Sequence, residues 1–281
     1  MRSGRLEIVM YDYNQKKEAL KQQIEKYVKE DIIVAYSGGV DSGLLLKLAC
    51  EAASETGRKV YAVTMQTRLH PIGEIKAALH TAKEMGAVPI QIAVDELHEA
   101  GIMQNPAERC YLCKKHLFSV MKQRAQELGI TNILEGTNED DLHVYRPGIK
   151  AVRELGILSP LADVKLGKEE VRRLATEYGL SLAGKPSLPC LATRFPYGTS
   201  LSYEAMGRVE KAEEYLRSFG YYNVRLRVHG DIARIEIEEK DFSDLLSRKE
   251  EVVSYLTELG YLYITLDLEG FRSGSMDKNI D

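Results

Sequence analysis

The segment 37–42, with the sequence SGGVDS, combines the residue types that a loop needs in order to bind phosphate. Gly38 and Gly39 let the backbone adopt positive φ angles and approach an anion closely. Ser37 and Ser42 add hydroxyl donors, and a helix that begins at the loop would present unpaired N–H groups to the same anion. Asp41 suits such a site if a Mg²⁺ ion lies between it and the phosphate. The loop lacks the lysine of a GxxxxGK[ST] motif, so transfer of a γ-phosphate is not implied.

Three of the four cysteines stand where they could carry metal or sulfur chemistry. Cys110 and Cys113 are three residues apart on a predicted helix, which places both sulfurs on one face. Cys190 lies in the proline-rich stretch 181–200. Two local cysteines and one distant one suit a [4Fe–4S] cluster with one iron left open, or zinc with a histidine as fourth ligand; the pair alone also suits a redox dithiol. Cys50 lies on an apolar helix and is expected in the core.

Arginines close to these cysteines are candidates for anchoring anionic groups of a substrate. Arg194 is four residues from Cys190, and Arg225 and Arg227 lie on a predicted strand. Arginine makes bidentate pairs with carboxylates and phosphates, so all three are predicted to bind substrate, unless they form surface ion pairs instead. Cys190, beside Arg194 and Lys185, is a candidate reactive thiol, unless it is simply an inert buried cysteine.

Short apolar runs alternate with helical patterns over the first 185 residues. Strands are predicted at 31–36, 59–65, 88–94 and 133–136, and helices at 12–29, 44–53, 74–85, 105–128 and 168–178. Asn105, Pro106 and Glu108 have the form of a capped start for the fourth helix. The alternation predicts an α/β fold with a Rossmann-like, doubly wound parallel sheet.

The pattern changes after the proline-rich stretch. A helix at 203–219, strands at 224–228 and 232–237, a helix at 241–259 and a strand at 261–266 predict a small α+β domain. We therefore predict three segments: a nucleotide-binding domain at 1–185, an active-site linker at 186–200, and the C-terminal domain at 201–281.

Composition limits the possible partners. The net charge is −4, which argues against a nucleic-acid partner, because tight nucleic-acid binders usually carry a basic excess. No apolar run approaches the ~20 residues that cross a bilayer, so no membrane partner is expected. The first residues lack the apolar segment of a secretion signal, and we expect a cytoplasmic protein.

Several motifs together resemble the LarE family of PP-loop ATP pyrophosphatases. They are SGGVDS at 37–42, YRPG at 145–148, Cys190 with RFPYGT at 194–199, VRLR at 224–227, DIARIE at 231–236 and TLDLEGFRSG at 265–274. The resemblance covers residues 15–276. It implies that ATP with Mg²⁺ binds at the loop, that Thr64 on the second strand contacts adenine, and that the chain is a homo-oligomer.

The resemblance also implies a reaction. ATP adenylates a carboxylate of pyridinium-3,5-biscarboxylic acid mononucleotide, a small-molecule substrate, and the adenylate becomes a thiocarboxylate. In one form of the family the cysteine at the position of Cys190 donates its own sulfur and becomes dehydroalanine. The three cysteines of this sequence match another form, in which Cys110, Cys113 and Cys190 hold a [4Fe–4S] cluster that supplies sulfur and the protein survives turnover.

Three other functions remain open at this point. A tRNA 2-thiolation enzyme shares the loop and a three-cysteine cluster, but needs a basic surface. An amidating synthetase shares the adenylation step, but needs an ammonia source and gives Cys190 no role. A non-catalytic nucleotide-binding module would release no pyrophosphate.

Overall fold

The computed structural model describes residues 12–69, 73–144, 146–181, 190–272 and 274–276. Tyr145 of the YRPG motif, Lys185 and the first part of the predicted linker, 186–189, lie outside the described residues. The chain divides into two compact units: 1–66, 72–94 and 114–187 form the first, and 67–71, 95–113 and 188–281 form the second. The domain limits at residues 185 and 200 stay a prediction.

The first unit is built on a parallel sheet of β1 (Ile32–Ala35), β2 (Val60–Gln66), β3 (Val88–Ala93) and β4 (Ile133–Leu134). The strand order is β3–β2–β1–β4, and each neighbouring pair is parallel. The predicted α/β fold is therefore confirmed. The order reverses between β1 and β4, and open α/β sheets bind ligands at such a switch point, beyond the carboxyl ends of the strands.

Helices flank this sheet. They are α1 (Tyr13–Tyr27), α2 (Val40–Thr56), α3 (Gly73–Glu84), α6 (Gly148–Glu154), α7 (Pro160–Asp163) and α8 (Lys168–Glu177), with most of α5 (Arg109–Glu127). Leu20, Ile24 and Val28 are almost fully buried, as their helical spacing predicts. Cys50 packs in the same core, where burial raises the pKa of its thiol to about 11, so its predicted structural role is confirmed.

The second unit contains a three-stranded sheet of β5 (Arg225–His229), β6 (Ile232–Glu236) and β7 (Tyr263–Leu266). β5 and β6 are antiparallel, whereas β6 and β7 are parallel. Its helices are α4 (Glu96–Glu99), α9 (Tyr203–Arg217), α10 (Phe242–Ser247) and α11 (Lys249–Glu258). The predicted α-β-β-α-β order is present, but the single helix predicted at 241–259 is wrong, because Arg248 has non-helical backbone angles and separates α10 from α11.

Among the described residues, no helix is long and apolar enough to cross a membrane.

Candidate functional site

The loop after β1 presents an uncapped helix start. Gly38 has φ = 76°, and a Cβ added to it would lie 3.2 Å from the Cβ of Ala78. Gly39 is extended and serves as the N-cap of α2, where it makes no side-chain capping bond. The first N–H groups of α2 are therefore left to an external acceptor, which is the arrangement that binds phosphate. Only Gly38 adopts the positive φ that the sequence suggested for both glycines.

The two serines brace this loop. The hydroxyl of Ser42 accepts the N–H of Ser37 at 3.2 Å and lies 3.2 Å from the Ser37 hydroxyl. Ser37 Oγ in turn accepts the N–H of Gly39 at 3.4 Å. These contacts hold the loop in one shape before a ligand arrives, and direct phosphate contacts by the serines stay a prediction.

Asp41 lies on the first turn of α2 and has polar partners from the segment after β4 and from the start of α8. Its carboxylate accepts hydrogen bonds from Lys168 Nζ and, at 3.3 Å, from Asn138 Nδ2. Burial raises the pKa of Asp141, and the nearby charge of Asp41 adds to that rise. Sequence reasoning linked Asp41 to Mg²⁺ but missed Lys168 and Asn138, whose only signal was their place at a helix start and just after a strand.

Gly136, two residues after β4, allows the end of β4 to lie close to the start of α2. A Cβ on it would lie 2.9 Å from the Ser42 nitrogen and 3.1 Å from the Asp41 Cβ. Because real Cβ atoms do not come this close to backbone, only glycine lets the end of β4 pack against the start of α2.

Replacing Gly136 by alanine is expected to push the loop away from β4. We expect a loss of about 1–3 kcal/mol in the free energy of unfolding, together with weaker ATP binding. Gly207→Ala is the matched control, because nothing lies within 4 Å of its added Cβ. Urea denaturation and calorimetric titration with ATP measure both effects, and equal ATP affinity in the two variants would contradict the packing argument.

Thr64 is occupied within the protein. Its side chain is 4% exposed, and its hydroxyl donates to the carbonyl of Tyr36 at 2.9 Å. It therefore ties β2 to the residue that precedes the loop. Contact between Thr64 and adenine stays a prediction.

The three candidate cysteines all belong to the second unit. Cys110 is exposed, while Cys113 and Cys190 are half-buried against one apolar cluster. A negative charge on Cys110 would add to the rise in the pKa of Cys190. In the described ranges, no group of three His, Cys, Asp or Glu side chains is arranged to hold a single metal ion.

Cys190 has a firmly fixed backbone. It precedes a 3₁₀ turn at Leu191–Arg194, and its carbonyl oxygen accepts three hydrogen bonds: from Thr193 N–H at 3.0 Å, Thr193 Oγ1 at 2.8 Å and Arg194 Nη1 at 3.1 Å. Burial raises the pKa of the Cys190 thiol to about 11, and Arg109 and Arg194 offset this only in part. Reactivity of Cys190 as a thiolate stays a prediction, and burial of the free thiol opposes it.

The lysines next to Cys113 have carboxylate neighbours. Lys114 Nζ lies 3.7 Å from Glu135, and Lys115 Nζ lies 3.3 Å from Glu154. These acids balance part of the positive charge of the two lysines, so less of it is left to stabilise thiolates at Cys110 and Cys113.

Arg194 is 1% exposed and forms a bidentate pair with Glu213, at 2.8 and 2.9 Å. Glu213 also accepts hydrogen bonds from Arg217 at 2.9 Å and from the N–H of Leu226 at 3.0 Å. Arg194 therefore joins the turn that carries Cys190 to α9 and β5. Direct contact of Arg194 with substrate stays a prediction, and the observed contacts favour a positioning role.

Arg225 and Arg227 are also buried, at 8% and 5% exposure. Arg227 pairs with Glu236 at 3.0 Å and donates to the Thr193 carbonyl at 3.0 Å. Arg225 donates to the Val224 carbonyl at 2.6 Å, and burial with neighbouring arginines lowers its pKa to about 10. Substrate binding by these two arginines stays a prediction, and the missed partners Glu213 and Glu236 carry no local signal.

Asn105 corrects the predicted start of α5. Helix α5 begins at Arg109, and Asn105 has φ = 48° instead of capping a helix. Its side chain donates to the carbonyls of Phe195 and Pro196 at 3.1 and 2.7 Å, and accepts from Arg109 at 2.7 Å. The capping prediction is wrong because the contacts with Phe195 and Pro196, which are distant in sequence, hold the Asn105 amide in place.

Comparison with known proteins agrees with this geometry. Residues 12–144 match the family model described as a PP-loop domain. The chain is 39% identical to the pyridinium-3,5-bisthiocarboxylic acid mononucleotide synthase of Lactiplantibacillus plantarum, over 89% of this chain and 90% of that protein. It is 38% identical to an uncharacterized protein of Synechocystis, over 88% and 91%, and 34% identical to one of Methanocaldococcus jannaschii, over 89% and 94%.

The sheet, the uncapped loop and the matching domain define an enzyme of the PP-loop ATP pyrophosphatase class, which uses ATP with Mg²⁺. Within that class, the chain belongs to the LarE family of sulfur transferases.

Proposed function

We propose that this chain adenylates a carboxylate of pyridinium-3,5-biscarboxylic acid mononucleotide and converts it to a thiocarboxylate. The observation that carries the proposal is the uncapped start of α2 behind the SGGVDS loop, in a chain that aligns along most of its length with a bisthiocarboxylate mononucleotide synthase. A carboxylate is a poor electrophile until one of its oxygens becomes a good leaving group, so sulfur insertion needs the adenylation that such a loop supports.

In the activation step, a carboxylate oxygen of the substrate attacks the α-phosphorus of ATP and pyrophosphate leaves. The N–H groups at the start of α2 stabilise the negative charge on the phosphates. Asp41 is the residue that we expect to hold Mg²⁺, since it is the carboxylate on the first turn of that helix.

We further propose that Cys110, Cys113 and Cys190 hold a [4Fe–4S] cluster. A cluster contains four irons, so its cysteine sulfurs need not converge on one point as the ligands of a single ion do. Two observations support the fit: the three cysteines share one unit, and Cys113 and Cys190 pack against the same apolar cluster. The cluster, with one iron not ligated by cysteine, would supply the sulfur that displaces AMP.

The chain's own residues then position this centre. The three hydrogen bonds to the Cys190 carbonyl fix the backbone from which the thiol extends. Coordination by iron would deprotonate a thiol that burial otherwise keeps neutral. Arg225, a buried cation that contacts a backbone carbonyl, is the first candidate for an anionic group of the substrate.

The alternative within the family is sacrificial transfer. The Cys190 thiolate attacks the acyl-adenylate and expels AMP. A base then removes the Cα proton, the Cβ–S bond breaks, the thiocarboxylate leaves with the sulfur, and residue 190 becomes dehydroalanine. The partial exposure of Cys190 and its fixed backbone suit this reaction as well. A tRNA substrate is less well supported, because the net charge of the chain is −4.

One experiment separates these mechanisms. We expect anaerobically purified protein to contain iron and sulfide, to release pyrophosphate only when ATP and the dicarboxylate are both present, and to keep its mass after turnover. Iron near zero together with loss of the mass of H₂S would establish the sacrificial mechanism instead. Tight binding of bulk tRNA at moderate salt would favour 2-thiolation. We also propose that the protein is a cytoplasmic homo-oligomer. Light scattering of the same preparation measures its molar mass and so tests the oligomeric state.

A further inference from the structure

Arg109 is a buried cation without an acidic partner. It is 4% exposed, begins α5 and directly precedes Cys110. Within the described part of the chain no carboxylate pairs with its guanidinium, which donates to Asn105 Oδ1 at 2.7 Å and lies 4.5 Å from the centroid of the Tyr197 ring. Its Nε is buried and has no hydrogen-bond partner among the described residues. Because a buried charge without a counter-charge is costly, we expect an anion beside Arg109 when the site is complete.

Two other buried arginines of the same unit are balanced by the protein itself. Arg194 pairs with Glu213, and Arg227 pairs with Glu236. These pairs are formed before any ligand binds. Arg109, in contrast, keeps its full charge and one N–H donor for a group that the chain alone does not supply.

Arg109 is tied to both segments that carry the candidate cluster ligands. Cys110 follows it on α5. Its partner Asn105 donates to the two backbone carbonyls of the segment 195–196, at 3.1 and 2.7 Å, and this segment closely follows Cys190. The guanidinium is therefore held in place by the same contacts that join the two cysteine-bearing segments.

The charge of Arg109 also acts on the distant cysteine. Burial raises the pKa of the Cys190 thiol, and Arg109 is the charge that most opposes this rise, ahead of Arg194. Thiolate ligands give an iron–sulfur cluster negative charge. Net charge and hydrogen bonds to sulfur help to set the reduction potential of such a cluster, and groups beyond the ligands help to set how tightly a metal is held.

We propose that Arg109 is the counter-charge of the [4Fe–4S] cluster held by Cys110, Cys113 and Cys190, and that its free Nε–H donates to a sulfur of this centre. The inference rests on the proposed function, because it requires the cluster, but it does not depend on the substrate. Arg225, the first candidate for a substrate anion, lies on β5, whereas Arg109 adjoins a cysteine ligand.

The test compares wild type, Arg109→Gln and Arg109→Lys after anaerobic reconstitution with iron and sulfide. Glutamine removes the charge, and lysine keeps it. We expect Arg109→Gln to lose its iron at about 10- to 100-fold lower chelator concentration, the usual effect of removing a group that supports metal ligands. Its reduction potential should become more negative, because loss of a positive charge favours the oxidised cluster. Arg109→Lys should restore most of both properties.

A control and a stability measurement separate this role from a structural one. Arg208 belongs to the same unit, has a buried Nε without a partner in the described ranges, and lies 5.9 Å from the centroid of the Tyr261 ring. It lies on α9 and adjoins no cysteine, so Arg208→Gln should keep the iron affinity and potential of wild type. Metal-free Arg109→Gln should resist urea at least as well as metal-free wild type, because it removes an unbalanced buried charge.

Four results would overturn the proposal. Unchanged iron affinity and potential in Arg109→Gln would mean that its charge does not serve the cluster. An unchanged cluster with weaker binding of the dicarboxylate nucleotide would assign Arg109 to the substrate. Equal loss of urea resistance with and without the cluster would mean that Arg109 only supports the fold. Wild type that takes up no iron would remove the cluster and this inference together. Failure of the proposed function alone is distinct, because it appears as a loaded cluster that forms no thiocarboxylate.

Discussion

Cys190→Ser is expected to lower thiocarboxylate formation at least about 1000-fold while pyrophosphate release continues. Adenylation needs ATP, Mg²⁺ and the carboxylate, but no sulfur nucleophile. Serine keeps the size of the side chain and the hydrogen bonds to the residue 190 carbonyl, so the turn at Leu191–Arg194 should persist. A coupled pyrophosphate assay and mass spectrometry of the products measure the two steps separately.

Variants of the other cysteines distinguish a cluster from Cys190 as the source of the sulfur. If a cluster delivers sulfur, Cys110→Ala and Cys113→Ala should fail as Cys190→Ser does and should lose their iron. If Cys190 is sacrificed, both alanine variants should still complete one turnover. Cys50→Ala is the control, because Cys50 lies in the core of the other unit; it should cost about 1 kcal/mol of stability and no sulfur transfer. Loss of transfer in that control would contradict the assignment of the three site cysteines.

The pH dependence gives an independent distinction. Burial raises the pKa of the free Cys190 thiol to about 11. Below that pH, the thiolate fraction grows about tenfold with each unit by which the pH is increased. Single-turnover transfer by a sacrificial Cys190 should therefore accelerate steadily from neutral to alkaline pH. A cysteine that already binds iron is deprotonated over this whole pH range. The rate of sulfur transfer by the cluster-containing protein should therefore show no such rise. A steep rise in iron-loaded protein would argue against the cluster as sulfur source.

The fold was largely predictable from local signals. Apolar runs of strand length that alternate with amphipathic helices dictate a parallel sheet, and SGGVDS between the first strand and helix marks the loop at its switch point. The buried stripe of α1 and the core position of Cys50 also follow from helical spacing alone. These features depend on near neighbours in sequence, which is why the pattern reveals them.

The partners of the charged residues were not predictable. An arginine that will bind substrate and an arginine that will pair with a buried glutamate look the same in sequence, and Arg194 and Arg227 prove to have Glu213 and Glu236 as partners. The contact between Lys168 and Asp41 joins residues 127 positions apart, and only the folded sheet brings them together. Local rules also fail at Asn105, where contacts with the segment 195–196 override the helix-capping pattern.

Glu213→Gln is expected to destabilise the second unit by about 3 kcal/mol, since it leaves a buried arginine without its counter-charge. Glu213 is fully buried and holds both Arg194 and the N–H of Leu226. Glu214→Gln is the matched control, because the neighbouring residue is exposed and such substitutions usually stay within about 0.5 kcal/mol. Urea denaturation gives the stability difference, and hydrogen exchange of the amides at 225–229 locates it in β5.

The pH dependence of this difference tests the cause. Burial alone would raise the pKa of Glu213, but the hydrogen bonds and charge of Arg194 outweigh it and hold the pKa below its ordinary value. The stability that the carboxylate contributes is therefore present above its unfolded pKa and is lost as pH falls through the folded one. The gap between wild type and Glu213→Gln should shrink in acid and stay constant from pH 6 to 8. Arg194 also donates a hydrogen bond to the carbonyl of Cys190, so Glu213→Gln should lose iron and sulfur transfer along with stability. If the variant loses stability but keeps a full cluster, the Arg194–Glu213 pair does not position Cys190.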